Sequence, residues 1–213
     1  MLPLAGLASS SQNALLIQLA TAARIGEVLA ARWEHVDFKR RRLTLPETKN
    51  GKRHEVWLSD FALQQLKSLH ENTGLTPWLF PSAHARTDQP DFADHVCVKT
   101  VTKQVGDRQR HGAAPMRGRS KDVDALVLPG GKWTPHDLRR TAATTMAELG
   151  ALPDVVEKCL NHAEVGKVKR IYQRAQYEGP MRDAWTLLGE RLALLQDMAD
   201  GRVSKVVALQ RGR

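Results

Sequence analysis

The chain has 213 residues, of which 42% are hydrophobic and 26% charged, enough length and apolar content to bury a sizeable core. No apolar run approaches the roughly 20 residues a membrane span needs, and the N-terminal MLPLAGLASSSQN lacks the basic start of a secretory signal, so a cytoplasmic protein is expected. Lysine and arginine total 32 against 23 aspartate and glutamate, a net charge of +9 that draws polyanions, nucleic acid foremost; a basic protein with no nucleic-acid role is the alternative. The two cysteines, Cys97 and Cys159, are too far apart for a metal-binding pair and read as reduced thiols.

In chain order, residues 13–22 (NALLIQLATA) put Leu15, Leu16, Leu19 and Ala22 on one helical stripe. A second helical pattern, RIGEVLAARW, begins at Arg24. The period then changes. Residues 42–46 (RLTLP) and 54–58 (HEVWL) alternate as half-buried strands do, with the turn dipeptide Asn50-Gly51 between them, and Val36-Asp37-Phe38 begins a third strand. Ser59-Asp60 opens a helix that stops at Gly74. Residues 76–93 contain three prolines and read as loop, 94–105 as a helix, and 106–132 as an irregular basic segment suited to meeting a phosphate backbone. Four helical patterns follow. One is opened by Thr134-Pro135, one by Pro153, one runs from about Glu164 to Tyr177, and one runs from about Met181 to Asp200 with Trp185, Leu188, Leu192 and Leu195 on one face. The predicted class is mainly α with a small antiparallel sheet (α+β), as one domain over 1–200 followed by a basic tail over 201–213.

Individually, the polar candidates have ordinary readings. Arg24 among apolar neighbours reads as a snorkelling surface arginine, and Glu27 can pair with it across one turn. His136 and Arg139 share a face in a first helical turn, where N–H groups and the helix dipole favour an anion; a plain polar helix start reads equally well. His162 suits a helix C-terminus, Tyr172 a packed core position, and Lys49 a solvated hairpin.

Their order says more. TAARIGEVLAARWEHVDF, the hairpin TKNGKRHEVWLS, TPHDLRRTAATTMAELG and LNHAEVGKVKRIYQRA together resemble the tyrosine recombinase (phage integrase) family over roughly residues 13–185. The resemblance implies that Arg24 and Arg139 clamp a phosphate, that Lys49 is the hairpin lysine, and that His136 opens the HxxR box. It further implies that His162 fills the second histidine position, that Tyr172 is the nucleophile, and that Glu27 supports the first arginine. Tyr177 is the rival nucleophile and reads better as packing.

The implied reaction is site-specific recombination of double-stranded DNA, integration or excision of a prophage or genomic island. It proceeds through a 3′-phosphotyrosyl intermediate with no metal or other cofactor. A non-catalytic DNA-binding module, a type IB topoisomerase and a metallo-hydrolase on His136 and His162 are the competing readings. The resemblance also implies a homo-tetramer on DNA for the full-length protein, a monomer for the isolated domain, and association with the nucleoid during activity. With the first box at residue 24, the N-terminal core-binding domain of such enzymes is expected to be absent from this chain. Three positions depart from the usual pattern. Ala22 and Asn161 stand where glycine is common, and Trp57 where proline is frequent.

Overall fold

The computed structural model describes residues 4, 7–82, 94–162 and 177–202. Seven α-helices are found there: α1 Ser9–Thr21, α2 Ile25–Leu29, α3 Asp60–Thr73, α4 Val98–Asp107, α5 Pro135–Glu148, α6 Pro153–Cys159 and α7 Glu178–Ala199. A 3-10 turn, Trp33–His35, leads into β1 Val36–Asp37, β2 Arg42–Leu45 and β3 His54–Trp57, an antiparallel sheet in the order β1-β2-β3. The helical pattern expected from about Glu164 to Tyr177 lies outside the described residues, apart from Tyr177 itself.

The centre of the fold is α1. Ala14, Leu15, Ile17, Gln18, Ala20 and Thr21 are each at most 1% exposed, so this helix is buried on most of its circumference rather than along one stripe. It packs against α2, α3, α5 and α7. Leu16, expected on the stripe, is only half-buried, and Ala22 lies beyond the helix as its C-cap.

Two helices are shorter than their patterns because neighbouring chain competes for their backbone. Leu79 donates to the Ala31 carbonyl (3.0 Å) and Trp33 to the Pro77 carbonyl (3.0 Å), which draws residues 31–33 out of the second helix. Residues 94–96 bridge to 80–82 through Ser82 to Asp94 (2.7 Å) and Val96 to Phe80 (2.8 Å), which delays α4 until Val98. Tertiary pairing overrides a weak local preference in both cases.

The sheet follows its alternation. In the β2–β3 register, Leu43 faces Val56 and Leu45 faces His54, all four buried, while Arg42, Thr44, Glu55 and Trp57 form the outer face. Eight residues connect the two strands, and the tight turn centres on Lys49-Asn50, with Gly51 donating to the Thr48 carbonyl (2.8 Å) at φ +66°.

Where α7 crosses the start of α3, Gly189 lies against Ser59, whose hydroxyl caps α3 by accepting from the Ala62 N–H (3.3 Å). A Cβ at position 189 would stand 2.2 Å from that hydroxyl. Gly189→Ala is therefore expected to lower stability by about 1–3 kcal/mol despite alanine's better helix propensity, read by urea denaturation.

Candidate active site

The site is built at the C-terminal ends of two helices. The α1 helix ends at Thr21 because Ala22 turns left-handed, with φ +56°. That turn reorients the chain so that Arg24 sits in extended conformation at the N-cap of α2, not inside a continuous helix as its sequence context suggests. Glu27 holds it there twice. Its carboxylate accepts from the Arg24 backbone N–H (3.0 Å) and from the Arg24 guanidinium (2.8 Å). The Glu27 side chain is mostly buried and that of Arg24 less so, as befits a carboxylate that steadies a reaching cation.

Arg139 comes from the first turns of α5. Thr134 caps this helix with Pro135 following, and the Asp137 carboxylate accepts from the Thr134 N–H (2.9 Å) and hydroxyl (2.8 Å), which pulls its pKa below the usual carboxylate value. Asp137 thus answers the helix dipole. What α5 offers an incoming anion is the pair of side chains His136, exposed, and Arg139, 3% exposed.

The Arg139 guanidinium donates to two main-chain oxygens, Ala22 at the end of α1 (2.7 Å) and Leu160 at the end of α6. Burial pushes its pKa down to about 10, and the nearby Arg24 cation adds to the effect, while Glu27 and Glu157 oppose it. It remains charged at neutral pH, so two like charges are held close together by backbone carbonyls and flanking carboxylates.

The end of α6 also carries His162 and receives the hairpin of Lys49. His162 follows α6, with Nδ1 2.7 Å from a Glu157 carboxylate oxygen, which leaves Nε2 available. Asn161, at φ +47°, donates from its side chain to the Thr48 hydroxyl (3.0 Å) and accepts at its carbonyl from the Asn50 side chain (2.5 Å). These bonds pin the hairpin tip to the end of α6 and bring the exposed Lys49 to the His162 turn. Tyr172 lies outside the described residues. Tyr177, the rival, is half-buried against the apolar core at the N-cap of α7. Among the described residues, no three His, Cys, Asp or Glu side chains gather as a metal site requires.

Two supporting residues escaped the reading of motifs. His54 is buried in β3, donates from Nε2 to the Cys159 carbonyl (3.1 Å), and stands 6.0 Å from the Trp185 ring. Trp185 in turn donates to the Thr21 carbonyl (3.0 Å). The signal for His54 was present, since alternation in HEVWL places it on the same face as Val56.

A model of the phage integrase family matches residues 5–178. The chain belongs to the phage integrase family. It is 29% identical to the prophage integrase IntA of Escherichia coli K12, over 85% of this chain and 39% of that protein. It is 28% identical to the integrase of Shigella phage Sf6, over 76% of this chain and 37% of that protein. The chain thus spans under two fifths of either relative. In fold it is similar to the integrase from mycobacterium phage Brujita, with a TM-score of 0.56 at 16% identity, over 85% of this chain and 52% of that one. It is likewise similar to the Tn1549 transposon integrase solved with circular intermediate DNA, with a TM-score of 0.50 at 17% identity, over 84% and 59%. The two glycine departures from the phage integrase pattern, Ala22 and Asn161, both adopt positive φ. This left-handed conformation costs about 1–2 kcal/mol for alanine and less for asparagine.

Burial is the main cause that holds the His54 pKa below its ordinary value; the Cys159 carbonyl and Glu27 oppose it, while Arg139 and Arg24 reinforce it. The unfolded chain therefore takes up this proton first as pH falls. The stability contributed is whole above about pH 6.5 and is lost as pH falls from there through the lower native value. His54→Gln is expected to flatten the fall in melting temperature between pH 7 and pH 5, and an unchanged slope would assign that fall to other groups.

Proposed function

We propose that this chain acts as the catalytic domain of a site-specific DNA recombinase, over residues 1–200, with 201–213 as a basic tail. In this reading Tyr172 attacks a phosphodiester of double-stranded DNA to form a 3′-phosphotyrosyl bond and release a 5′-hydroxyl. The bond energy is conserved in the covalent intermediate, so rejoining needs no high-energy cofactor. The observation that carries the proposal is the pair Arg24 and Arg139, held as neighbours by Glu27 and by two helix-end carbonyls. Two like charges placed together by the scaffold form a preorganised receptor for an anion that gains charge in its transition state.

The remaining roles follow from chemistry. Lys49, on its tethered hairpin, protonates the departing 5′-oxygen. His136 takes the phenol proton, and His162, oriented by Glu157, donates to the scissile phosphate. IntA and the Sf6 protein are named integrases and the Brujita protein is a phage integrase, which favours integration or excision of a mobile element as the biological setting. The Tn1549 neighbour was solved on DNA, which supports duplex DNA as the partner. Within a full-length recombinase such a domain works as part of a homo-tetramer on DNA and is nucleoid-associated while active. Alone it is a monomer.

A nicked suicide substrate incubated with this chain in EDTA is expected to give a covalent protein–DNA complex that Tyr172→Phe abolishes. An adduct that persists in that variant and maps to Tyr177 would overturn the nucleophile assignment, and dependence on metal would overturn the mechanism. Arg139→Ala is expected to slow adduct formation by about 10²–10³, as loss of a transition-state donor does elsewhere.

For Lys49→Ala, cleavage slows on ordinary DNA. It is expected to recover on a substrate with sulfur at the 5′-bridging position, because a thiolate departs without a proton. Equal impairment on both substrates would remove Lys49 from the general-acid role.

A further inference from the structure

We infer that the loop joining α4 to α5 carries a second DNA-contacting surface, in which Arg110, Arg117 and Lys121 bind backbone phosphates away from the arginine pair. The inference rests on the reading of duplex DNA as the substrate.

Residues 108–121 (RQRHGAAPMRGRSK) contain five lysines and arginines and no carboxylate, in a chain whose net charge is +9. The segment has no helix or strand, yet it is a built structure. Arg110 donates to the Val123 carbonyl (2.8 Å) and Leu126 to the Arg108 carbonyl (3.0 Å), which closes the loop at its base. Below that, Gln109 exchanges two bonds with the Trp133 backbone (2.8 Å each), and the Trp133 indole donates to the Leu126 carbonyl (3.0 Å). Trp133 immediately precedes the cap of α5, so the loop is rooted three residues from His136.

Two of the three carboxylates flanking the loop serve its own architecture. Asp107 takes both of its bonds from Arg119 (2.7 and 2.9 Å), and Asp124 accepts from the Gly112 N–H (2.8 Å). Asp122 is exposed and pairs with no cation among the described residues. Arg110, Arg117 and Lys121 also have no carboxylate partner among the described residues, and Arg117 and Lys121 are exposed.

The sheet's outer face is the contrast. There Arg42 and Arg53 both bind Glu55 (2.5 and 2.6 Å), and Arg40 lies 3.9 Å from Asp37. Both surfaces are rich in arginine, but Arg40, Arg42 and Arg53 each have a carboxylate within 4 Å, whereas Arg110, Arg117 and Lys121 have none among the described residues. Like charges fixed together on an ordered loop repel one another, and an external polyanion relieves that repulsion. The root of this loop, Trp133, adjoins the start of α5, the helix that carries Arg139.

The test is the salt dependence of duplex binding, measured by fluorescence anisotropy for the wild type and for the triple variant Arg110→Gln, Arg117→Gln and Lys121→Gln. Each phosphate contact contributes about 0.9 to the slope of log K against log salt, so the triple variant is expected to lose about 2.7. Arg117→Gln alone, at an exposed position, is expected to lose about 0.9, which keeps the test sound if the triple variant folds poorly. A charge-matched control, Arg40→Gln, Arg53→Gln and Arg202→Gln, removes three arginines already paired with carboxylates and is expected to lose less than half as much. An equal loss in the control would overturn the inference, because net charge alone would then account for the effect. A wild-type slope in the loop variants, with the covalent adduct still formed, would overturn the inference and leave the catalytic reading intact. Failure of the wild-type chain to bind duplex would overturn both, while the expected slope loss without any adduct would overturn the catalytic reading and leave the loop inference standing.

Discussion

The guanidinium of Arg139 joins the ends of two helices that are far apart in sequence. It donates to Ala22 at the end of α1 and to Leu160 at the end of α6. Helix C-terminal carbonyls lack intrahelical partners and carry partial negative charge, so a buried cation there satisfies two orphan acceptors at once. The buried charge is tolerated because its donors are used and because Glu27 and Glu157 stand nearby. Trp185 and His54 repeat the device one residue earlier on each helix, at Thr21 and at Cys159. Three elements, α5, α7 and β3, thereby send donors to the same two termini.

That convergence explains why Arg24, Arg139, His162 and Lys49 arrive together although they are scattered along the chain. Arg24 leaves from the end of α1, His162 from the end of α6, and Lys49 is tied to the latter by Asn50 and Asn161. The two helix ends serve as a common platform, and the apolar surround of α1 keeps the platform stiff.

Much of this was legible in the sequence. The Thr134-Pro135 start, the Ser59 cap and the alternating strands are local signals, and the structure follows each of them. The helix after Arg24 and the start of α4 were misjudged because residues 77–82 pair with both segments, a contact that local pattern does not encode. The order of motifs singled out Arg24 and Arg139, and the structure brings both to the end of α1. Burial of Arg139 was not legible, because nothing in HDLRR distinguishes the inward arginine from exposed Arg140 beside it. His54 was hidden for a different reason. Its importance comes from touching the end of α6, about a hundred residues later in the chain.

The Arg139 clamp has one further consequence. Both of its acceptors are main-chain oxygens, which every amino acid supplies. Side chains at positions 22 and 160 can therefore drift while the acceptors stay, provided the backbone keeps its course. Ala22, an alanine that serves as acceptor from a left-handed turn at φ +56°, shows that latitude in use. The candidate site is insured against substitution at its own anchor points, and its vulnerability lies in the backbone path and in Arg139 itself.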